Sequence, residues 1–182
     1  MRLLILEGGI HGRAHNCGEI VKALLELSPF EKTNIVYLSE GMPLERDIVE
    51  ADAWLLLTGT YWDSCGSAMQ KFFEDFTHLE CDPRIMGMPA GVITMNHCVG
   101  GKAVLSRLQG VLSCMGFLIP PLTGMVISRD SINSDSDDSW SLADMDTVLK
   151  NLQIASMYHI PWKTWPVDRG DFEKTWVDIN KE

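Results

Sequence analysis

The sequence has no basic run longer than two residues, no C-x-x-C pair, no apolar stretch of membrane-spanning length and no low-complexity or repeated segment. Each absence removes a class of function. With 15 Lys and Arg against 25 Asp and Glu, the 182-residue chain carries a formal net charge of −10. A surplus of that sign repels phosphate backbones and anionic lipid, so binding to either would need a basic patch that the sequence lacks. Nucleic acid and membrane surfaces are therefore not expected as partners. Cys17, Cys65, Cys81, Cys98 and Cys114 are odd in number and show no metal-ligand spacing, which argues against a disulfide framework and against a zinc site. No apolar run approaches the roughly 18 residues of a membrane span, and Leu3 to Leu6 is too short for a secretory h-region. The expectation is a soluble, cytoplasmic protein with reduced thiols.

What is present is an ordinary globular composition, 46% hydrophobic and 22% charged, in a chain long enough to bury one core. Leu3 to Leu6 is a continuous apolar run closed by Glu7-Gly8-Gly9, the pattern of a strand buried on both faces. Ile20, Val21, Leu24, Leu25 and Leu27 follow at helical spacing. Asn34 to Leu38 reads as a second strand, and Leu44, Ile48 and Val49 as a short helix with Pro43 at its first position. Ala53 to Leu57 is the most apolar strand. Met69, Phe72, Phe73, Phe76 and Leu79 form a helical ladder, Ala90 to Thr94 a strand, and Val104 to Met115 a helix stopped by Gly116. Phe117 to Ile119, broken by Pro120-Pro121 and resuming at Met125 to Ile127, reads as an edge strand. A last helix runs from Leu142 to Leu152, with Ser141 and Asp144 spaced as a capping box.

Five alternations of strand and helix with short connections predict a parallel sheet covered on both faces, an α/β doubly wound domain. In such sheets ligands bind beyond the carboxyl ends of the strands. Three loops lie there: Gly8 to Cys17, Thr58 to Gly66 and Met95 to Gly101. The first is a glycine-rich strand-to-helix turn whose N–H groups and helix dipole can hold an anion, yet it has neither a G-K-[ST] ending nor a G-x-G-x-x-G spacing. The second places Tyr61 and Trp62 where a planar ring could stack. The third offers amide, imidazole and thiol groups beside two glycines.

In order and spacing, these segments resemble the flavodoxin-like NADPH-dependent FMN reductases over residues 1 to 128. Gly8-Gly9-Ile10-His11-Gly12-Arg13-Ala14-His15-Asn16 resembles that family's G-S-P-R-x-x-S-N-T phosphate loop. Ala51-Asp52, Thr60-Tyr61-Trp62-Asp63-Ser64 and Phe72-Phe73 are similar to its A-D…Y-W-G-S…F-L element, and Thr94 to Gly101 to its T-G-G…G-G loop. The resemblance implies a three-layer, five-stranded parallel sheet in flavodoxin-like order 2-1-3-4-5, with one domain over residues 1–160. It leaves a tail over 161–182 that packs on the domain or on a dimer partner. It implies FMN as cofactor and NAD(P)H as co-substrate. Hydride would pass through the flavin to a small acceptor such as a quinone or free flavin, in a homodimer.

The residues implied for the cofactor are Gly9, His11, Arg13, His15 and Asn16 from the first loop. The second loop gives Gly59, Thr60, Tyr61, Trp62, Asp63 and Ser64; the third gives Asn96, His97, Gly100 and Gly101. His97 is a candidate proton donor to the acceptor, but no residue is assigned as catalytic and none as a metal ligand. Gly9 and Ala14 stand where the family has serine hydroxyls, a loss on the order of 1 kcal/mol each if nothing replaces the donors. Two alternatives therefore stay open: a flavodoxin-type electron carrier, and a binding module that has the fold without the flavin. Cys65-Gly66-Ser67 lacks the continuation of a cysteine-protease motif. The acidic run from Asn133 to Asp144 lacks the glycine and the bidentate Glu of a calcium loop.

Overall fold

The computed structural model describes residues 1–12, 17–97, 99–128, 141–158 and 160–164. Five strands alternate with five helices: β1 (Arg2–Glu7), α1 (Cys17–Leu27), β2 (Lys32–Tyr37), α2 (Glu45–Val49), β3 (Ala53–Gly59), α3 (Ser67–Asp75), β4 (Ala90–Asn96), α4 (Gly101–Met115), β5 (Gly124–Ser128) and α5 (Met145–Ser156). Every strand pair is parallel and the order is β2-β1-β3-β4-β5, as expected. The order reverses between β1 and β3, which puts a crevice at their carboxyl ends.

The apolar runs in β1 and β3 follow from burial on both sides. Successive side chains alternate across a strand. Leu4, Leu6, Trp54, Leu56 and Val92 pack toward α2, α3 and α4. Leu3, Ile5, Leu55, Leu57, Ile93 and Met95 pack toward α1 and α5. Trp54 anchors the first layer, its ring against Phe72 and Phe117 and its indole N–H donating to the Ile48 carbonyl at 3.1 Å.

Three local expectations are corrected. Pro43 precedes α2 by two residues, because Leu44 is extended (φ −74°, ψ 141°). The Met69 ladder breaks after Asp75 into a separate 3₁₀ turn, Thr77–Leu79, where the Thr77 hydroxyl donates to the Phe73 carbonyl at 2.8 Å; such a bond competes with helix continuation. Residues 117–119 make one isolated bridge, Leu118 with Pro89, and β5 starts only at Gly124, since two consecutive prolines supply no ladder N–H. The Ser141–Asp144 pairing forms: the Asp144 carboxylate accepts from the Ser141 N–H at 2.7 Å and hydroxyl at 2.9 Å. Of the tail, Trp162 lies over Gly87 and the Thr164 hydroxyl donates to the Cys81 carbonyl at 3.4 Å; residues 165–182 lie outside the described residues.

One contact fixes the crevice. The Gly66 N–H donates to the buried Thr58 hydroxyl at 3.1 Å, and that hydroxyl donates to the Gly59 carbonyl at 3.0 Å. This closes the β3–α3 loop onto β1 so tightly that a Cβ on Gly66 would overlap the Gly8 carbonyl oxygen. Because the obstacle is backbone, relief requires the two loops to part. Gly66→Ala should cost about 1–3 kcal/mol of stability as an overpacking change, measured by denaturant unfolding. A loss under about 0.5 kcal/mol would show that the loops are not held together there.

Candidate functional site

β1 delivers the first group. Glu7 is the sixth and last residue of β1 and only 1% exposed. Period-two alternation puts its side chain on the same face as Leu3 and Ile5, beneath the first residue of α1, Cys17. Its Oε1 accepts the Gly9 N–H at 2.8 Å, while Oε2 is buried with no hydrogen-bond partner among the described residues. Burial pushes this carboxyl's pKa up and the Glu40 carboxylate adds to the shift; the Gly9 N–H and the Cys17 thiol act against it. Burial also pushes the Cys17 thiol up to about 12, with the Glu7 charge contributing. The thiol is therefore neutral and not a nucleophile.

Between β3 and α3 the chain makes a two-residue hairpin. Tyr61 and Ser64 exchange backbone bonds at 2.8 and 3.0 Å, and both central residues are left-handed, Trp62 at φ 50° and Asp63 at φ 58°. That is the backbone of a type I′ turn, normally given to Asn-Gly or Gly-Gly. A tryptophan there costs about 1–2 kcal/mol, and strain of this kind concentrates at functional sites. The turn leaves the Trp62 indole wholly exposed and turns Tyr61 inward, its hydroxyl accepting the Ile10 N–H at 3.2 Å. Burial raises the Tyr61 pKa, with Cys17 and Glu7 adding to it, so the phenol keeps its proton.

The third loop follows β4. The Thr94 hydroxyl donates to the Gly101 carbonyl at 3.1 Å, holding the start of α4 against the strand end. Asn96 packs against Gly101, and its Oδ1 is buried without a partner among the described residues. A Cβ on Gly100 would overlap Asp63 Oδ1, so the second and third loops touch.

The three loops thus converge, and most residues expected of the site sit together. Gly9 and Tyr61 meet through Glu7 and Ile10, Gly59 lies against the Tyr61 ring, and Thr60 donates its N–H to the Met95 carbonyl at 2.9 Å. Asp63 abuts Gly100, and Asn96 abuts Gly101. Ser64 faces outward to Arg107 of α4, whose guanidinium donates to its hydroxyl at 3.1 Å and to Gln70 at 3.2 Å. His11 and His97 are on the exposed rim. Arg13, His15 and Asn16 lie outside the described residues. Glu7 and Cys17 border the candidate site and are not among the residues expected from the sequence. The available signal was Glu7 itself, one acidic residue that directly follows the apolar run Leu3 to Leu6 within β1.

This architecture suits a flavin. Among the described residues, two buried oxygens without a hydrogen-bond partner, Glu7 Oε2 and Asn96 Oδ1, stand at two of the converging loops. Buried polar atoms ordinarily have partners, so both point to a ligand that carries hydrogen-bonding groups to each. Asn96 Oδ1 matches the ring N–H of an isoalloxazine, and the exposed Trp62 face matches its plane. The loop beside Glu7 matches a phosphate when the carboxyl is neutral.

No protein-family model matches the chain, and no curated protein matches it in sequence. Solved structures do match in shape. RosB with the bound intermediate 8-demethyl-8-formylriboflavin-5'-phosphate aligns at TM-score 0.75 and 12% identity, over 100% of this chain and 88% of that one. A flavodoxin, WrbA-like protein from Agrobacterium tumefaciens aligns at 0.64 and 14%, over 87% and 99%. FerB, a flavoenzyme NAD(P)H:(acceptor) oxidoreductase from Paracoccus denitrificans, aligns at 0.64 and 14%, over 86% and 96%. At these identities the likeness speaks to architecture, and with the strand order it establishes that the chain has the flavodoxin-like fold.

Proposed function

We propose that the protein is a flavin-dependent oxidoreductase that holds FMN across the β1, β3 and β4 loops and uses NAD(P)H as hydride source for a small acceptor. The observation that carries the reading is the pair of buried oxygens without a hydrogen-bond partner among the described residues, Glu7 Oε2 and Asn96 Oδ1, at the carboxyl ends of β1 and β4. Bound flavin would supply two-electron exchange between a reduced nicotinamide and the acceptor. The chain's own part is binding and orientation. Gly9 and its neighbours, with Arg13, His15 and Asn16, would hold the phosphate; Asn96 would fix the ring's edge. Trp62 would cover a ring face, and Tyr61 keeps the first and second loops in register. His97, exposed on the rim, would serve an acceptor's proton. A homodimer is part of this reading, as the family resemblance implies.

A second reading has its own support. RosB spans the whole of this chain, and its bound molecule is named as an intermediate that is itself a flavin phosphate. A flavin nucleotide is on that reading the compound transformed, with the same loops as substrate site. The electron-carrier alternative requires only the flavin.

Adding FMN to the purified protein should give a bound-flavin spectrum that anaerobic NADPH or NADH bleaches. Bleaching supports the oxidoreductase. Bound flavin that neither nucleotide bleaches sinks it and leaves the carrier and substrate readings, which mass spectrometry of the flavin after turnover with cell extract separates. Absence of any bound flavin ends all three. Trp62→Gly offers a sharper check, because it relieves left-handed strain while removing the ring. Its melting temperature should match or exceed the wild type's, while flavin affinity drops about tenfold. Unchanged affinity would show that the indole does not touch the flavin.

A further inference from the structure

The first loop contains an apparent contradiction. It is the anion-binding turn of the fold, yet a carboxyl group is built into it. Gly9 and Ala14 supply no hydroxyl to a phosphate, and the Gly9 N–H is already taken by Glu7 Oε1. The carboxyl occupies the space a side chain at position 9 would need: a Cβ on Gly9 would lie 2.5 Å from Glu7 Oε1. Among the described residues, its other oxygen is buried with no hydrogen-bond partner, while the Cys17 thiol acts on the carboxyl.

We propose that Glu7 is a phosphate-binding residue that works in its neutral form: its carboxyl replaces the hydroxyl missing from Gly9, and its O–H donates a hydrogen bond to the phosphate of the bound flavin nucleotide. The inference rests on the flavin reading above. Its chemical necessity is simple. An ionised carboxylate and a phosphate dianion offer only acceptors, so two of them side by side in a dry loop require a proton between them. Glu7 brings that proton and the phosphate oxygen receives the hydrogen bond, with no covalent change.

The groups facing Glu7 decide how readily it stays neutral. Burial in β1 and the Glu40 carboxylate after β2 favour the neutral form; the Gly9 N–H and the Cys17 thiol of α1 favour the charged one; the Tyr61 hydroxyl from the β3 hairpin faces the same point as a neutral phenol. Burial is the largest of these, and the net effect raises the carboxyl's pKa. Binding a phosphate adds two negative charges and moves it further the same way. Phosphate affinity is thereby linked to protonation of one buried carboxyl, and riboflavin, which has no phosphate, escapes that linkage.

The test compares FMN with riboflavin, by quenching of flavin fluorescence, on the full-length wild type and Glu7→Gln from pH 5 to 9. The Gln variant keeps an acceptor for the Gly9 N–H and a donor for the phosphate. It should fold, since a carboxyl whose folded-state pKa is raised costs stability as pH climbs through that value and Gln does not. The ratio of wild-type to Glu7→Gln affinity for FMN should fall with rising pH, by up to tenfold per unit, while the ratio for riboflavin stays flat. Phosphate ionisation and the loop histidines are common to both proteins and cancel in the ratio. Calorimetry of the wild type alone, in buffers of different ionisation enthalpy, should show more protons taken up with FMN than with riboflavin. Parallel FMN profiles for the two proteins, or equal proton uptake for the two flavins, overturn the proposal and leave the flavin reading standing. Failure of both flavins to bind overturns both.

Discussion

Burial of both faces of β1 and β3 is the constraint from which the rest follows. Leu3 to Leu6 and Ala53 to Leu57 are at most 1% exposed, and each fully buried leucine contributes about 1.5–3 kcal/mol relative to exposure. Helices must cover both faces, so every crossover returns the chain to the same end of the sheet. Polar chemistry is thereby driven to the carboxyl ends, where β1, β3 and β4 release three loops side by side. Glu7, a buried charged residue on the α1 side of the sheet, sits at the last position before that end.

The loops are held more firmly than loops usually are. Thr58 ties Gly66 to the end of β3, Gly66 presses on the Gly8 backbone, the Tyr61 hydroxyl takes the Ile10 N–H, and Asp63 meets Gly100. The last three ties join loops that follow different strands, so the candidate site is preorganised by the sheet order as well as by the β3–α3 loop itself. The strained Trp62–Asp63 turn persists because both flanking residues, Tyr61 and Ser64, are anchored, one to the first loop and one to Arg107. An acidic chain can hold an anion only through local donors, such as backbone N–H groups and the start of a helix.

The order of strands and helices, and the three loops that carry the site, were legible because long apolar runs and helical ladders are local patterns. Helix ends and the edge strand were not. Thr77 breaks the Met69 ladder by bonding back to Phe73, and the edge strand waits until Gly124 because the prolines before it cannot pair. Tyr61, Trp62 and Asn96 were placed in the site by position along the chain. The hairpin that exposes Trp62 was invisible, since Trp-Asp is not a pair that signals left-handed backbone.

The sequence by itself determined an acidic α/β chain with a parallel sheet and a glycine-rich turn after its first strand, because periodicity and turn residues act within a few positions. The tertiary structure alone decided what that loop contains. Residues 7, 17, 40 and 61 are strangers in sequence, and only the order β2-β1-β3 brings a carboxyl, a thiol, a second carboxyl and a phenol together. Burial then raises the pKa of the Glu7 carboxyl, the Cys17 thiol and the Tyr61 phenol, since the cost of a charge depends on what surrounds it and not on where it stands in the chain.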